Sequence, residues 1–206
     1  MEKSNAMFKK IYWIAITTSL LLCNYVSAAG DPIAGKTFSA NCVSCHGNAG
    51  ISPSPEVPNL AGQLPSYIQM RVDYFREDHQ GDSLMHGVAK LLNNPKDIAD
   101  VAAYYASLPR ASYRSNDKQL AAKGREVYFG THKCYMCHGD DGRGLLGSDG
   151  VPSPMLVGLS KTYIVKAMKD FQSQKRISEK GYMMNLIPRI MTDRDIDAVA
   201  AYLSTQ

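Results

Sequence analysis

The sequence predicts an all-α protein built from two tandem, similar domains, and three observations carry that expectation. A short cysteine motif is written twice. The stretches around each copy space their apolar residues three and four apart, as one buried helix face requires. Strand-like alternation is absent.

The duplication sets the frame. Cys42-Val43-Ser44-Cys45-His46-Gly47 recurs as Cys134-Tyr135-Met136-Cys137-His138-Gly139. Pro58, Leu60, Gly62, Tyr67 and Phe75 recur at one constant offset as Pro154, Leu156, Gly158, Tyr163 and Phe171. A spacing of about a hundred residues is too long for a solenoid repeat, so the repeating unit is a domain. The stretch from Pro109 to Asp117 is polar, lacks helical periodicity and separates the copies. The expected organisation is a signal peptide over 1–28, a first domain over 29–110, a linker over 111–117 and a second domain over 118–206.

Each copy opens with a helix that delivers the chain to its motif. Asp31-Pro32 supplies a capping residue and a proline at the first helical position for Ile33 to Asn41, and Asn116-Asp117 opens Lys118 to Tyr128 similarly. A second helix is expected over Tyr67 to Arg76 and over Tyr163 to Gln172. The last helices start at Asn94-Pro95-Lys96-Asp97 and Thr192-Asp193-Arg194-Asp195, each with a cap and an acid three positions on. Ile98, Val101, Ala102 and Tyr105 make one apolar stripe, and Ile196, Val199, Ala200 and Leu203 make its twin. About eighty residues per copy is a small core, so each domain needs a stabilising element beyond its own side chains.

The N-terminus has a basic start (Lys3, Lys9, Lys10), an apolar run from Ile11 to Leu22 and a small-residue end, Val26-Ser27-Ala28-Ala29. That is an export signal cleaved after Ala28, and its apolar run is shorter than a membrane-spanning helix needs. Leu22 is bulky where a lipid-attachment site prefers a small residue, so Cys23 is read as part of the discarded signal. Removing Lys3, Lys9, Lys10 and Glu2 takes a net +2 from the chain's +4. A nearly neutral chain without a basic block gives no footprint for nucleic acid.

Cys42, Cys45, Cys134 and Cys137 remain, all inside C-x-x-C-H. Two cysteines one helical turn apart can form thioethers with one porphyrin while the following histidine points at the iron. A thioredoxin-type disulfide would want a preceding strand and a βαβ pattern, which neither copy has. A zinc site would have to gather all four cysteines across the domains. The expected cofactors are two covalently attached haem c groups, with iron ligands His46 and His138.

The sixth ligand is sought downstream. The second copy has no histidine after His138, and His132 lies upstream, so methionine is the remaining soft ligand there. Candidates are Met155, Met168, Met183, Met184 and Met191 in the second copy, and Met70 and Met85 in the first. Met85 and Met184 share a position shortly before the last helix, with Leu92 and Met191 seven residues further on, and that spacing selects the pair. Met70, Met155, Met168 and Met191 are read as core packing. Met183 competes with Met184 by one position, and His86 and His79 compete with Met85. Gly142-Arg143-Gly144-Leu145-Leu146-Gly147 matches a dinucleotide pattern by letter but follows no strand, so it is read as a flexible loop.

Together these residues resemble the cytochrome c4 family, dihaem class I cytochromes c built from two similar lobes. The resemblance covers the whole mature chain through the doubled motif, Pro-x-Leu-x-Gly and the late methionine. It implies two class I cytochrome c domains related by approximate two-fold symmetry, with haem propionates near the interface. It also implies that the carbonyls of Pro58 and Pro154 accept hydrogen bonds from His46 and His138, and that Gly35 and Gly124 let the first and last helices cross closely. The second copy carries three extra residues between that glycine and Cys134.

The function expected from the resemblance is periplasmic electron transfer in a respiratory chain, from a quinol-oxidising complex to a terminal oxidase, with room for peripheral membrane association. Two filled coordination spheres would leave no substrate site, so an electron carrier is expected and not an enzyme. The alternative is a dihaem acceptor subunit of a periplasmic dehydrogenase such as a sulfide-oxidising flavoprotein, which a large apolar patch on one lobe would favour. A dihaem peroxidase would need one iron able to open a coordination site.

Overall fold

The computed structural model describes residues 30–77, 83–113, 117–178 and 182–206. The stretch expected to be a signal peptide, with Cys23 and the expected cleavage site, lies outside the described residues, as do His79 and Asn116. Among the described residues no helix is long and apolar enough to cross a membrane.

The first lobe consists of α1 (Pro32–Phe38), α2 (Val43–His46), α3 (Pro65–Arg76), α4 (Ser83–Ala89) and α5 (Pro95–Ser107). The second consists of α6 (Lys118–Glu126), α7 (Tyr135–His138), α8 (Lys161–Gln172), α9 (Tyr182–Ile190) and α10 (Asp193–Leu203). The caps read from sequence close the helices that they were expected to open. Asp31 accepts from the Ile33 amide with Pro32 at the first position, Asp117 accepts from Leu120, and Thr192 and Asp195 form a reciprocal capping box. Asn94 caps α5 through the Lys96 amide alone.

In each lobe the first helix crosses the last, α1 on α5 and α6 on α10, while the middle helix packs against the last. A Cβ on Gly35 would collide with the Asp100 carbonyl, and one on Gly124 with the Ala198 carbonyl. The glycines are there because the two backbones touch. The expected stripes form the floor of each core, with Ile98, Val101, Ala102 and Tyr105 buried in one lobe and Ile196, Val199, Ala200 and Leu203 in the other.

Three features depart from the sequence expectations. The first helix of lobe 2 gives way at Val127–Thr131 to a π-helical turn, and Lys133 then takes a positive φ of 50°. That wider turn absorbs the three extra residues and still presents Cys134 to the site. The loop after the second motif holds a small antiparallel pair, β1 (Leu145–Leu146) on β2 (Pro152–Ser153), whose strands are too short to show alternation. Two short helices, α4 and α9, occupy stretches for which no helix was expected. They carry the late methionines.

The lobes are joined by side chains that reach across to backbone. Gln63 Nε2 donates to the Met155 carbonyl at 2.9 Å and its Oε1 accepts from the Met155 amide at 2.8 Å, all buried. Asn59 Nδ2 donates to the Gly158 carbonyl at 2.7 Å and to the Tyr113 hydroxyl at 2.8 Å. Gly62 and Gly158, both at positive φ, flank the Cβ of Arg110, so the connecting chain passes between equivalent turns of the two lobes.

Candidate functional site

Each cysteine motif folds as a single helical turn. The His46 amide donates to the Cys42 carbonyl at 2.9 Å, and the His138 amide to Cys134 at 3.0 Å. The turn places both thiols of a motif and its histidine on one side. All four cysteines and both histidines line one continuous cavity of about 1430 Å³ that runs through the two lobes. None of these four cysteines is in a disulfide; burial pushes the Cys42 thiol up, and the Cys134 thiol up to about 11.

The histidines are oriented by their partners. His46 Nδ1 donates to the Pro58 carbonyl at 2.8 Å and His138 Nδ1 to the Pro154 carbonyl at 2.9 Å. A carbonyl only accepts, so the proton sits on Nδ1 and Nε2 keeps its lone pair. Both rings are buried, which lowers their pKa against the opposing effect of that bond. The result is a pair of neutral, oriented imidazoles.

Helices α4 and α9 bring methionines to the same cavity. Met85 lines it from α4, and Met183 and Met184 from α9, where Met184 is half-buried and Met183 is 52% exposed. His86 does not line it; its Nδ1 bonds the Phe75 carbonyl at 2.7 Å. His132 is turned toward Asp195, 3.8 Å away. Met155 and Met191 are buried in the core of lobe 2. Met70 and Met168, expected as packing residues, line the cavity half-buried, because α3 and α8 each turn a face to it, and Met168 also packs against the lobe 2 core as expected.

These residues fit haem on the chemistry of the donor set. Each lobe offers two thiols, a neutral nitrogen and a thioether around a mostly apolar space. Among the described residues no three His, Cys, Asp or Glu side chains converge as a metal site, so the four cysteines are not gathered for zinc. A polar signature points the same way. Arg176 lies in the cavity wall with a buried Nε that has no hydrogen-bond partner, a donor suited to an anionic group.

Sequence reading missed Arg71, Arg176, Gln63 and Asn59. Tyr67 and Tyr163 were visible as a repeated pair, but their role depends on the docking of the lobes.

The cytochrome c family profile matches residues 33–109 and 121–206, once in each lobe. A cytochrome c4 of Pseudomonas aeruginosa is 30% identical over 197 residues, spanning 92% of this chain and 96% of its own. A thiosulfate dehydrogenase electron acceptor of Thiomonas intermedia is 29% identical, spanning 82% of this chain and 79% of its own. Among solved structures, reduced recombinant cytochrome c4 from Pseudomonas stutzeri matches with a TM-score of 0.70 at 28% identity, covering 85% of this chain and 98% of that one. With two matched domains, a C-x-x-C-H motif in each and a cytochrome c4 relative that covers 92% of the chain, the chain belongs to the cytochrome c family, and within it to the cytochrome c4 electron-transfer proteins that carry two covalently bound haem c groups.

Proposed function

We propose that the chain is a periplasmic electron shuttle, exported by cleavage after Ala28 and divided at the 111–117 linker, which takes electrons from a quinol-oxidising complex and delivers them to a terminal oxidase. In this reading Cys42 and Cys45 hold one haem and Cys134 and Cys137 the other, with His46 and Met85 as ligands in the first lobe and His138 and Met184 in the second. The haem supplies a one-electron iron couple when bound, while the protein orients its ligands and excludes water.

The observation that carries the reading is that each lobe presents both an Nδ1-committed imidazole and a late methionine to the cavity. Those two residues of each lobe would hold the iron between them and leave it no open site, which favours outer-sphere electron transfer over substrate chemistry. The half-burial of Met184 favours it over the exposed Met183.

A second reading has a specific observation behind it. Lobe 2 gathers exposed Tyr182, Met183, Leu186 and Ile190 along one helix, α9, and exposes Leu145 and Leu146 on its hairpin, whereas the exposed Ile33, Ile51, Leu84 and Leu91 of lobe 1 are scattered, with Leu84 alone on α4. Such a surface suits a resident acceptor subunit of a dehydrogenase, and one relative is a thiosulfate dehydrogenase electron acceptor. Purification from the native organism separates the two. The shuttle reading expects a free dihaem protein that does not bind carbon monoxide and is oxidised by the organism's own membranes at a rate falling with salt. Recovery only in a stoichiometric dehydrogenase complex supports the subunit reading, and rapid carbon monoxide binding or peroxide turnover would move the assignment to an enzyme.

A further inference from the structure

Where the lobes meet, two guanidinium groups are drawn into the cavity wall from opposite sides. Arg71 comes from α3 of lobe 1 and stacks over the Tyr74 and Phe75 rings at 4.7 and 4.6 Å. Arg176 follows α8 of lobe 2 and stacks over Phe171 at 4.8 Å. Its Nη1 donates to the Tyr163 hydroxyl at 3.1 Å and its Nη2 to the Tyr67 hydroxyl at 2.9 Å. Tyr67 and Tyr163 are equivalent positions of the repeat, so Arg176 straddles the approximate two-fold axis.

The arrangement is costly as it stands. Burial and the charge of Arg176 hold Arg71 below the ordinary arginine range, which places the two cations within each other's field. No carboxylate among the described residues pairs with Arg176, and its Nε donor is buried without an acceptor. Tyrosine hydroxyls can accept from a guanidinium but cannot neutralise it. A half-buried cation whose Nε donor is fully buried and orphaned calls for an anion. The carboxylate side chains are the anionic groups that two haems bring into this cavity.

We propose that Arg176, with Arg71 beside it, forms one cationic clamp shared by the carboxylates of both haems, so that the redox potentials of the two lobes are set jointly. The planar fork suits this role, since two of its donors are fixed by the tyrosines and the Nε edge stays available. Arg176 is a positioning residue that acts on the iron through the haem edge. Neutralising a carboxylate near the iron disfavours the more positive ferric state, so the clamp raises the potential of each haem it serves. The inference requires two bound haems and is independent of the donor and acceptor proposed above.

The test is a haem-resolved redox titration of the dihaem protein carrying Arg176→Gln, with the sulfur-to-iron charge-transfer band as a check on ligation. The expected result is a fall of about tenfold in the reduced-to-oxidised ratio at both haems at fixed potential, or about 59 mV for a one-electron couple. The potentials should also become steeper in pH near neutrality, because an unclamped carboxylate gains protons more readily on reduction. Arg176→Lys should restore part of the shift at both haems. A shift confined to the lobe 2 haem overturns the shared clamp, and unchanged potentials at both with the band intact overturn the clamp altogether. Should Arg176→Gln fail to retain haem, the Tyr67→Phe, Tyr163→Phe double variant decides: a smaller downward shift at both haems supports the proposal, and no shift overturns it.

Discussion

At the crossing of first and last helices, lobe 1 buries a carboxylate where lobe 2 buries a methyl group. Asp100 on α5 faces Gly35, accepts from the Asp31 amide at 2.7 Å and pairs with Lys96 at 2.6 Å. Its counterpart Ala198 on α10 faces Gly124 and makes no side-chain polar contact. The backbone approach is the same in both, and its partner differs. The fold therefore demands the glycine, whereas the residue opposite is free to be polar or apolar as long as its own groups are satisfied. The same contrast recurs at the cavity, where α4 brings one methionine and α9 brings two adjacent ones.

The methionine contrast gives the largest expected effect. Met184→Ala should abolish the sulfur-to-iron band of the lobe 2 haem, lower that haem's potential and open it to carbon monoxide, leaving lobe 1 unchanged. Met85→Ala should do the reverse. Absorbance near the charge-transfer band, recorded with a redox titration, reads both. If Met183→Ala removes the lobe 2 signal while Met184→Ala leaves it, the shared spacing with Met85 is not what positions the ligand.

Much of this site was legible because its chemistry is local. A C-x-x-C-H motif fixes two thiols and an imidazole within one turn, and the repeat transfers every inference from one lobe to the other. The long helices were legible through their caps and stripes. The short helices α4 and α9 were not, since seven and nine residues, interrupted by Gly87 in one and Pro188 in the other, are too short to carry a helical signal of their own. Arg176 left no trace either. Its meaning depends on Tyr67, over a hundred positions away in sequence, and on a docking geometry that no local pattern encodes. Gln63 is similar: its repeat partner is Leu159, so the duplication itself hides the bond to Met155.

The glycine crossings are expected to give an intermediate and equal effect. Gly35→Ala and Gly124→Ala each force a methyl group against a backbone carbonyl that cannot swing aside, so each should cost about 1–3 kcal/mol or more by overpacking. Thermal unfolding followed at the haem of each lobe, with its charge-transfer band as reporter, should show the loss in the mutated lobe first. A substitution tolerated at Gly124 but not at Gly35 would mean that Asp100, and not the backbone contact, sets the demand for glycine in lobe 1.

The smallest effect follows from the carboxylate itself and should appear in only one lobe. The Lys96 ammonium and the Asp31 amide hold the Asp100 carboxyl below the ordinary carboxylate range, outweighing the opposing effect of burial. The unfolded chain, with a carboxyl near about 3.9, therefore binds more protons than the folded one in acid. The stabilisation from Asp100 is present above that value and is lost as pH falls through the lower folded pKa. Amide hydrogen exchange resolves the two lobes within one molecule. Protection in α1 should weaken on acidification from neutrality to about pH 3 more than protection in α6, where Ala198 has nothing to protonate. Asp100→Ala should weaken α1 at neutral pH, where it leaves the Asp31 amide without its acceptor, and should remove the difference between the lobes in acid slope. Lys96 is mostly exposed, so high salt should weaken its share while the Asp31 bond, enclosed at the helix crossing, persists. Lobe 2 has a depressed carboxyl of its own, Asp195, held down chiefly by the Thr192 hydroxyl in the α10 cap, so the deciding comparison is within lobe 1. An acid slope in α1 that Asp100→Ala leaves unchanged would show that the loss comes from other groups, and that Asp100 is a packing residue that happens to carry a charge.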